Sequence, residues 1–185
     1  MTELDFEMRQ FEPRDLAEVM NINRTCLPEN YPSSFFLDMH YSHPELFLVA
    51  VSHDSVIGYI MCRVEHGFSE IRRLRLIKKG HIVSIAVLER YRRTGIGAAL
   101  VAAVLDRLIS HNADECFLEV RVSNSSAIAL YRSIGFEEGR HIPYYYKDGE
   151  EAILMYKQVK PSNVAASQHE TGARQDPCCA SESAA

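Results

Sequence analysis

Arg92-Arg93-Thr94-Gly95-Ile96-Gly97 is a sequence that can hold an anion. It follows an apolar run, His81 to Leu88, and opens an alanine-rich stretch with helical spacing. Strand, glycine turn and helix start in that order aim backbone N–H groups at a ligand. Glycine lets the chain approach a phosphate closely, and a helix N-terminus adds about half a positive charge. No Gly-Lys-Ser/Thr follows, which excludes a P-loop. The third glycine of a dinucleotide fingerprint is also absent. The segment is therefore a phosphate cradle or a plain helix-entry turn. Further on, Asn124 can hydrogen-bond a ligand or simply cap a helix. Tyr131 projects a hydroxyl from the helix face that carries Ala127 and Ile128, or else sits at the core edge. His81, with an unperturbed pKa near 6.5, can exchange protons at neutral pH or merely hydrogen-bond at a strand start.

The elements that must position these groups follow from periodicity and breakers. Phe6 to Phe11 alternates as a strand, and Pro13 to Cys26 carries helical spacing. Leu27-Pro28-Glu29-Asn30-Tyr31-Pro32 must leave helical geometry, because each proline pushes its predecessor toward extended backbone. Ser33 can cap a second helix through His40. Leu46 to Val51 and Val56 to Glu65 read as a hairpin turning at His53-Asp54. His66 to Gly80 reads as a basic connection leading to the strand His81 to Leu88. Helices run from Ile96 to about Ser110 and from Asn124 or Ser125 to Ile134, the second stopped by Gly135. Between them Cys116 to Val122 is a strand, parallel to the one before the glycine loop. Glu137 to Ile142 and Ala152 to Tyr156 close the fold as a hairpin.

Length predicts one domain, residues 1–160, with a tail of low complexity, 161–185, that lacks the apolar residues needed to repay ordering. Net charge is −5 over 185 residues, which argues against general nucleic-acid binding. No apolar run is long enough to span a membrane, and the acidic start lacks a signal peptide, so a cytoplasmic address is expected. The five cysteines show no metal-ligand spacing, and no metal is expected. Cys26, Cys62 and Cys116 read as reduced core thiols, while Cys178 and Cys179 fall in the tail. Arg72, Arg73, Arg75, Lys78 and Lys79 read as a solvated loop, the alternative being contact with ribosomal RNA or a nucleotide phosphate.

Arg-x-x-Gly-x-Gly after a strand, followed by Asn124-Ser125-Ser126-Ala127-Ile128-Ala129-Leu130-Tyr131-Arg132-Ser133-Ile134-Gly135-Phe136, resembles the two signature blocks of the GNAT superfamily of N-acetyltransferases. The segments Leu27 to Pro32, Lys79 to Val87 and Tyr145 to Ala152 are similar to protein N-terminal acetyltransferases, closest to the archaeal enzyme related to RimI and the NatA catalytic subunit. The resemblance covers about Phe6 to Lys157 and implies an α/β fold: one three-layer domain, a mixed sheet of about seven strands flanked by about four helices.

It further implies acetyl-CoA as co-substrate and protein N-termini or nascent chains as acceptors (Ser, Ala, Thr or Met first), with ribosome association as a further prospect. Backbone N–H groups of Arg93, Thr94, Gly95, Ile96, Gly97 and Ala98 would hold the pyrophosphate, helped by Arg92, with Asn124 on the pantetheine arm. A strand bulge would free an N–H near Ile85, Ala86 or Val87 for the acetyl oxygen, and Tyr131 would protonate the departing sulfur. Glu29, His81 and Glu119 compete as base, a shared water-relayed role being one solution. Arg121 would support the active-site loops, and Tyr31, Tyr145 and Tyr146 would clamp the peptide, leaving Tyr144 as surface bulk. The alternatives are acetylation of a small amine or lysine side chain, and a CoA-binding module without catalysis.

Overall fold

The structure, a computed structural model, describes residues 5–159. The tail, the boundary before it and Cys178-Cys179 lie outside the described residues. Seven strands form one mixed sheet in the order β1-β2-β3-β4-β5-β7-β6. They are β1 Glu7–Gln10, β2 Phe47–Ser52, β3 Ser55–Phe68, β4 Leu76–Val87, β5 Glu115–Arg121, β6 Glu137–Ile142 and β7 Ala152–Gln158. Four helices flank it: α1 Leu16–Cys26, α2 Ser33–Ser42, α3 Ile96–Ser110 and α4 Ser125–Ile134.

Period-two alternation splits the buried side chains into two layers. Leu48 and Ala50 of β2 face the α3 and α4 cluster, whereas Phe47, Val49 and Val51 face Phe36, Val19 and Ile22 of α1 and α2. The three-layer, seven-strand, four-helix fold is thus as the sequence led us to expect. The β2–β3 turn places His53 and Asp54 at φ of 49° and 60°, the left-handed pair that matches the twist of a tight hairpin.

Two readings of the sequence need correction. The basic connection is mostly strand: β3 runs on to Phe68 and β4 begins at Leu76, so residues 66–80 form the outer half of a long hairpin. Charged residues masked the alternation because this part of the hairpin is largely solvent-facing, while Lys79 within it is buried and ion-paired to Glu70 at 2.8 Å. Lys79 is therefore not a solvated loop cation. The second helix is entered from Pro32 without a side-chain cap, so Ser33 is its first residue rather than its N-cap.

β4 and β5 are parallel, but they pair only from Lys79 to His81 against Glu115 to Phe117. Beyond that point each strand keeps its outer neighbour, β3 for β4 and β7 for β5, and the two part. A cleft opens through the middle of the sheet where a ladder would otherwise be. The middle of the three paired rungs is packed tightly: a Cβ on Gly80 would overlap Leu108 Cδ1, and Leu108 is fully buried in α3. Gly80→Ala should lower unfolding free energy by about 1–3 kcal/mol, the usual cost of overpacking, measured by denaturant titration.

Candidate active site

The cleft between β4 and β5 has a volume of about 1370 Å³. At one end stands the N-terminus of α3. Arg93 and Gly95 take φ of 67° and 91°, and Gly95 caps the helix with no side-chain hydrogen bond. A side chain at Gly95 would meet nothing within 4 Å, so backbone conformation alone requires glycine there. The first intrahelical bond runs from Ala99 N to Gly95 O at 3.0 Å. The N–H groups of Ile96, Gly97 and Ala98 are thereby left for an anion. Gly97 and Ala98 line the cleft, while the Ile96 side chain is buried in the core and contributes only its backbone. Thr94 donates its hydroxyl to Tyr91 O at 2.6 Å, and Arg92 Nε to Val87 O at 3.0 Å. Those two side chains hold the turn.

Along the β4 wall, Ile85, Ala86 and Val87 all line the cleft. The β3–β4 register slips between Met61–Ser84 and Cys62–Ile82, so the bulged residue is Val83, two residues before the segment where the resemblance puts the N–H donor. Leu88 N donates to Ile57 O at 3.0 Å. By antiparallel alternation the N–H groups of Val87 and Ile85 then point away from β3, toward the cleft. On the opposite wall, Asn124 Oδ1 accepts from Ala127 N at 3.2 Å and Ser126 Oγ at 3.1 Å, so the residue is a helix cap whose amide nitrogen can still donate. Tyr131 lies in the cleft at 5% exposure, and burial raises its hydroxyl pKa, keeping it protonated.

A histidine–glutamate pair sits where the strands part. His81 Nε2 and Glu119 Oε2 are 2.8 Å apart, and the imidazole stacks on Phe117 at 4.4 Å. Glu119 lines the cleft; His81 stands behind it, at the last paired rung. Burial pushes the Glu119 carboxyl up, yet the His81 hydrogen bond and charge, a hydrogen bond from Tyr145 and the charge of Arg63 together hold it below its ordinary value. Glu119 is therefore an ionised acceptor at neutral pH. Tyr145 is pushed up to about 12, by burial first and the Glu119 charge second.

Glu29 is elsewhere. Arg121 bonds its Oε1 through both Nε, at 3.1 Å, and Nη2. Nη1 of the same guanidinium takes Asp148 at 2.8 Å and Glu150 at 2.5 Å, and the group lies over the Tyr146 ring at 4.0 Å. One arginine thus joins the Leu27 to Pro32 loop to the Tyr144 to Glu150 loop. It is not an exposed strand charge. Tyr31 stacks on Phe35 at 4.6 Å, and Tyr145 meets Tyr146 edge-on at 5.0 Å, all three tyrosines lining the cleft. Tyr144 is 84% exposed and lies outside it.

Several contributors escaped the sequence reading. Asn23 Nδ2 holds Glu29 O at 3.1 Å and Tyr59 Oη at 3.0 Å, and Tyr59 Oη meets Ser84 Oγ at 2.7 Å, a buried chain that fixes the Glu29 loop against β4. No local spacing marks residues so distant in sequence. Cys26 was expected in the core but is only partly buried and lines the cleft, whereas Cys62 and Cys116 are buried thiols.

Residues 16–136 match the model of the Acetyltransferase (GNAT) family. The chain is 48% identical over 153 residues to an N-alpha-acetyltransferase of Sulfurisphaera tokodaii, covering 82% of this chain and 92% of that protein. Among solved structures, Ard1 from Thermoplasma volcanium superposes with a TM-score of 0.74 at 34% identity, over 84% of this chain and 99% of that one. A NatC complex bound to Gag peptide and CoA gives a TM-score of 0.74 at 25% identity, over 83% and 98%.

Proposed function

The chain belongs to the GNAT acetyltransferase family, and from that membership we infer that it transfers the acetyl group of acetyl-CoA to the α-amino group of protein N-termini. The observation that carries this reading is the continuity of one cleft. It runs from the open α3 N-terminus to the Glu119–His81 pair, between two loops that Arg121 ties together. The donor set fits the nucleotide: free helix N–H groups for a pyrophosphate, and an unpaired strand edge for an extended arm.

When bound, acetyl-CoA supplies a thioester-activated acetyl group. The N–H groups of Ile85 and Val87, which point away from β3, would donate to its carbonyl oxygen and stabilise the developing charge. Tyr131, protonated and buried, would donate to the departing sulfur. An α-amine with pKa near 8 is mostly protonated at pH 7, so it needs an acceptor for its proton. Glu119 attracts that ammonium and, with His81, holds the proton it loses. Glu29, with one oxygen committed to Arg121, acts from the groove wall, and Tyr31, Tyr145 and Tyr146 orient the incoming backbone. Exposed Ser, Ala, Thr or Met as first residue, a cytoplasmic site of action and ribosome contact through the basic hairpin of Arg72, Arg73 and Arg75 belong to the same proposal.

Acetyl-CoA turnover should be seen with peptides bearing free N-termini and not with N-blocked peptides carrying a free lysine. Transfer to the blocked set alone would make the enzyme a lysine or small-amine acetyltransferase. Binding without transfer to any amine would make it a CoA-binding module.

A further inference from the structure

His81 Nδ1 is buried and has no hydrogen-bond partner among the described residues. The nearest oppositely charged group is Glu65, whose Oε2 lies 3.8 Å away, on β3 two residues from Arg63. Register explains the approach: β3 pairs Arg63 with His81 and Glu65 with Lys79, so Glu65 reaches along the hairpin toward the ring. The imidazole therefore stands between two carboxylates, Glu119 on Nε2 at 2.8 Å and Glu65 on Nδ1 at 3.8 Å. An ionised carboxylate only accepts, so the neutral ring must donate Nε2–H to Glu119 and keep its lone pair on Nδ1. The nitrogen that can take up a proton is then the one turned toward Glu65.

We propose that Glu65 is a positioning residue for proton transfer, receiving the Nδ1–H of His81 when the ring becomes charged and so selecting which nitrogen accepts. The proposal rests on the acetyl-transfer reading only for its place in turnover; the ring geometry stands without it. Other charged or titratable groups around the ring are Arg63 on β3, Lys79 on β4, Glu119 on β5, and Tyr31 and Tyr145, which act on it through Glu119. Arg63 Nε holds the same Glu65 oxygen at 3.0 Å, so Glu65 is already aimed. Lys79 lies over the Phe117 ring on which His81 stacks, at 4.2 Å from its centroid. Its own charge is answered by Glu70 at 2.8 Å.

The test is nitrogen-resolved NMR of the histidine ring on the whole chain, beside the pH profile of kcat/KM. In the unsubstituted protein the neutral ring should carry its proton on Nε2. Glu65→Gln removes a charge that favours the imidazolium, so the ring's titration midpoint should fall by about 0.5–1 pH unit. The acidic limb of kcat/KM should move the same way, because that limb reports the free enzyme. Glu65→Asp should restore most of the midpoint. Arg63→Gln should not lower it, which separates loss of the carboxylate from release of the arginine. A neutral ring protonated on Nδ1, or an unchanged midpoint in folded Glu65→Gln, would overturn the proposal. Absence of acetyl transfer by the unsubstituted protein would instead overturn the functional reading and leave the NMR result standing.

Discussion

Glu119→Gln should lower kcat/KM for a free N-terminus by about 100- to 10,000-fold, the range that general acid–base groups contribute. The amide oxygen can still accept from His81 Nε2 and from Tyr145, so the walls of the cleft keep their positions and only the charge is lost. The native carboxyl sits below its ordinary pKa because His81, Tyr145 and Arg63 outweigh its burial. A group depressed in this way contributes stability that is present above the ordinary carboxylate range. That stability is lost only as pH falls through its lower folded value. Between pH 6 and 8 Glu119 stays ionised, so an acidic limb in that interval does not arise from its protonation. Steady-state kinetics at several pH values, with acetyl-CoA affinity measured separately, checks the result: affinity should be nearly unchanged, since the phosphate cradle is at the other end of the cleft. A fall in acetyl-CoA binding equal to the fall in kcat/KM would remove Glu119 from the chemistry.

Arg121→Ala should cost about 100-fold in kcat/KM for peptide, the size of effect produced when a reacting group is misplaced by about 1 Å. The guanidinium is mostly buried and answers three carboxylates, Glu29, Asp148 and Glu150, while covering the Tyr146 ring. Its pKa is raised, first by the Glu29 hydrogen bonds, so it is charged at every accessible pH. Without it the three acids face one another uncompensated, and the two loops that form the groove walls separate. The loss should appear mainly in KM for the peptide, with acetyl-CoA affinity preserved. Lysine should not restore activity, because a point charge cannot replace a planar fork that engages both Glu29 and the Asp148–Glu150 pair. Equal activity of the alanine variant would show that the loops hold their places by packing alone.

The glycine turn, the Asn124 to Phe136 block and the apolar periodicities were enough to place a left-handed turn at a helix start and to lay out a three-layer α/β fold. These features are local: φ near 91° at Gly95, a stripe at helical spacing and a left-handed cap at Gly135 are each dictated within a few residues. The Glu29, His81 and tyrosine segments, which are similar to known N-terminal acetyltransferases, also supply nearly half of the cleft lining.

Tertiary structure decided how those groups are wired. Whether β4 and β5 pair or part is a relation between strands about thirty residues apart. The bulge at Val83 is visible only against β3, and Arg121 became a tie between loops only once Asp148 and Glu150 arrived beside Glu29. Glu65 shows the limit most plainly: in the sequence it is one more charge on a hairpin. It becomes the second carboxylate on the imidazole because cross-strand register sets it 3.8 Å from an unpartnered nitrogen. Local sequence fixes backbone conformation through sterics and hydrogen bonds of short reach. Charge pairing in a buried cleft depends on distances that exist only when the sheet has formed.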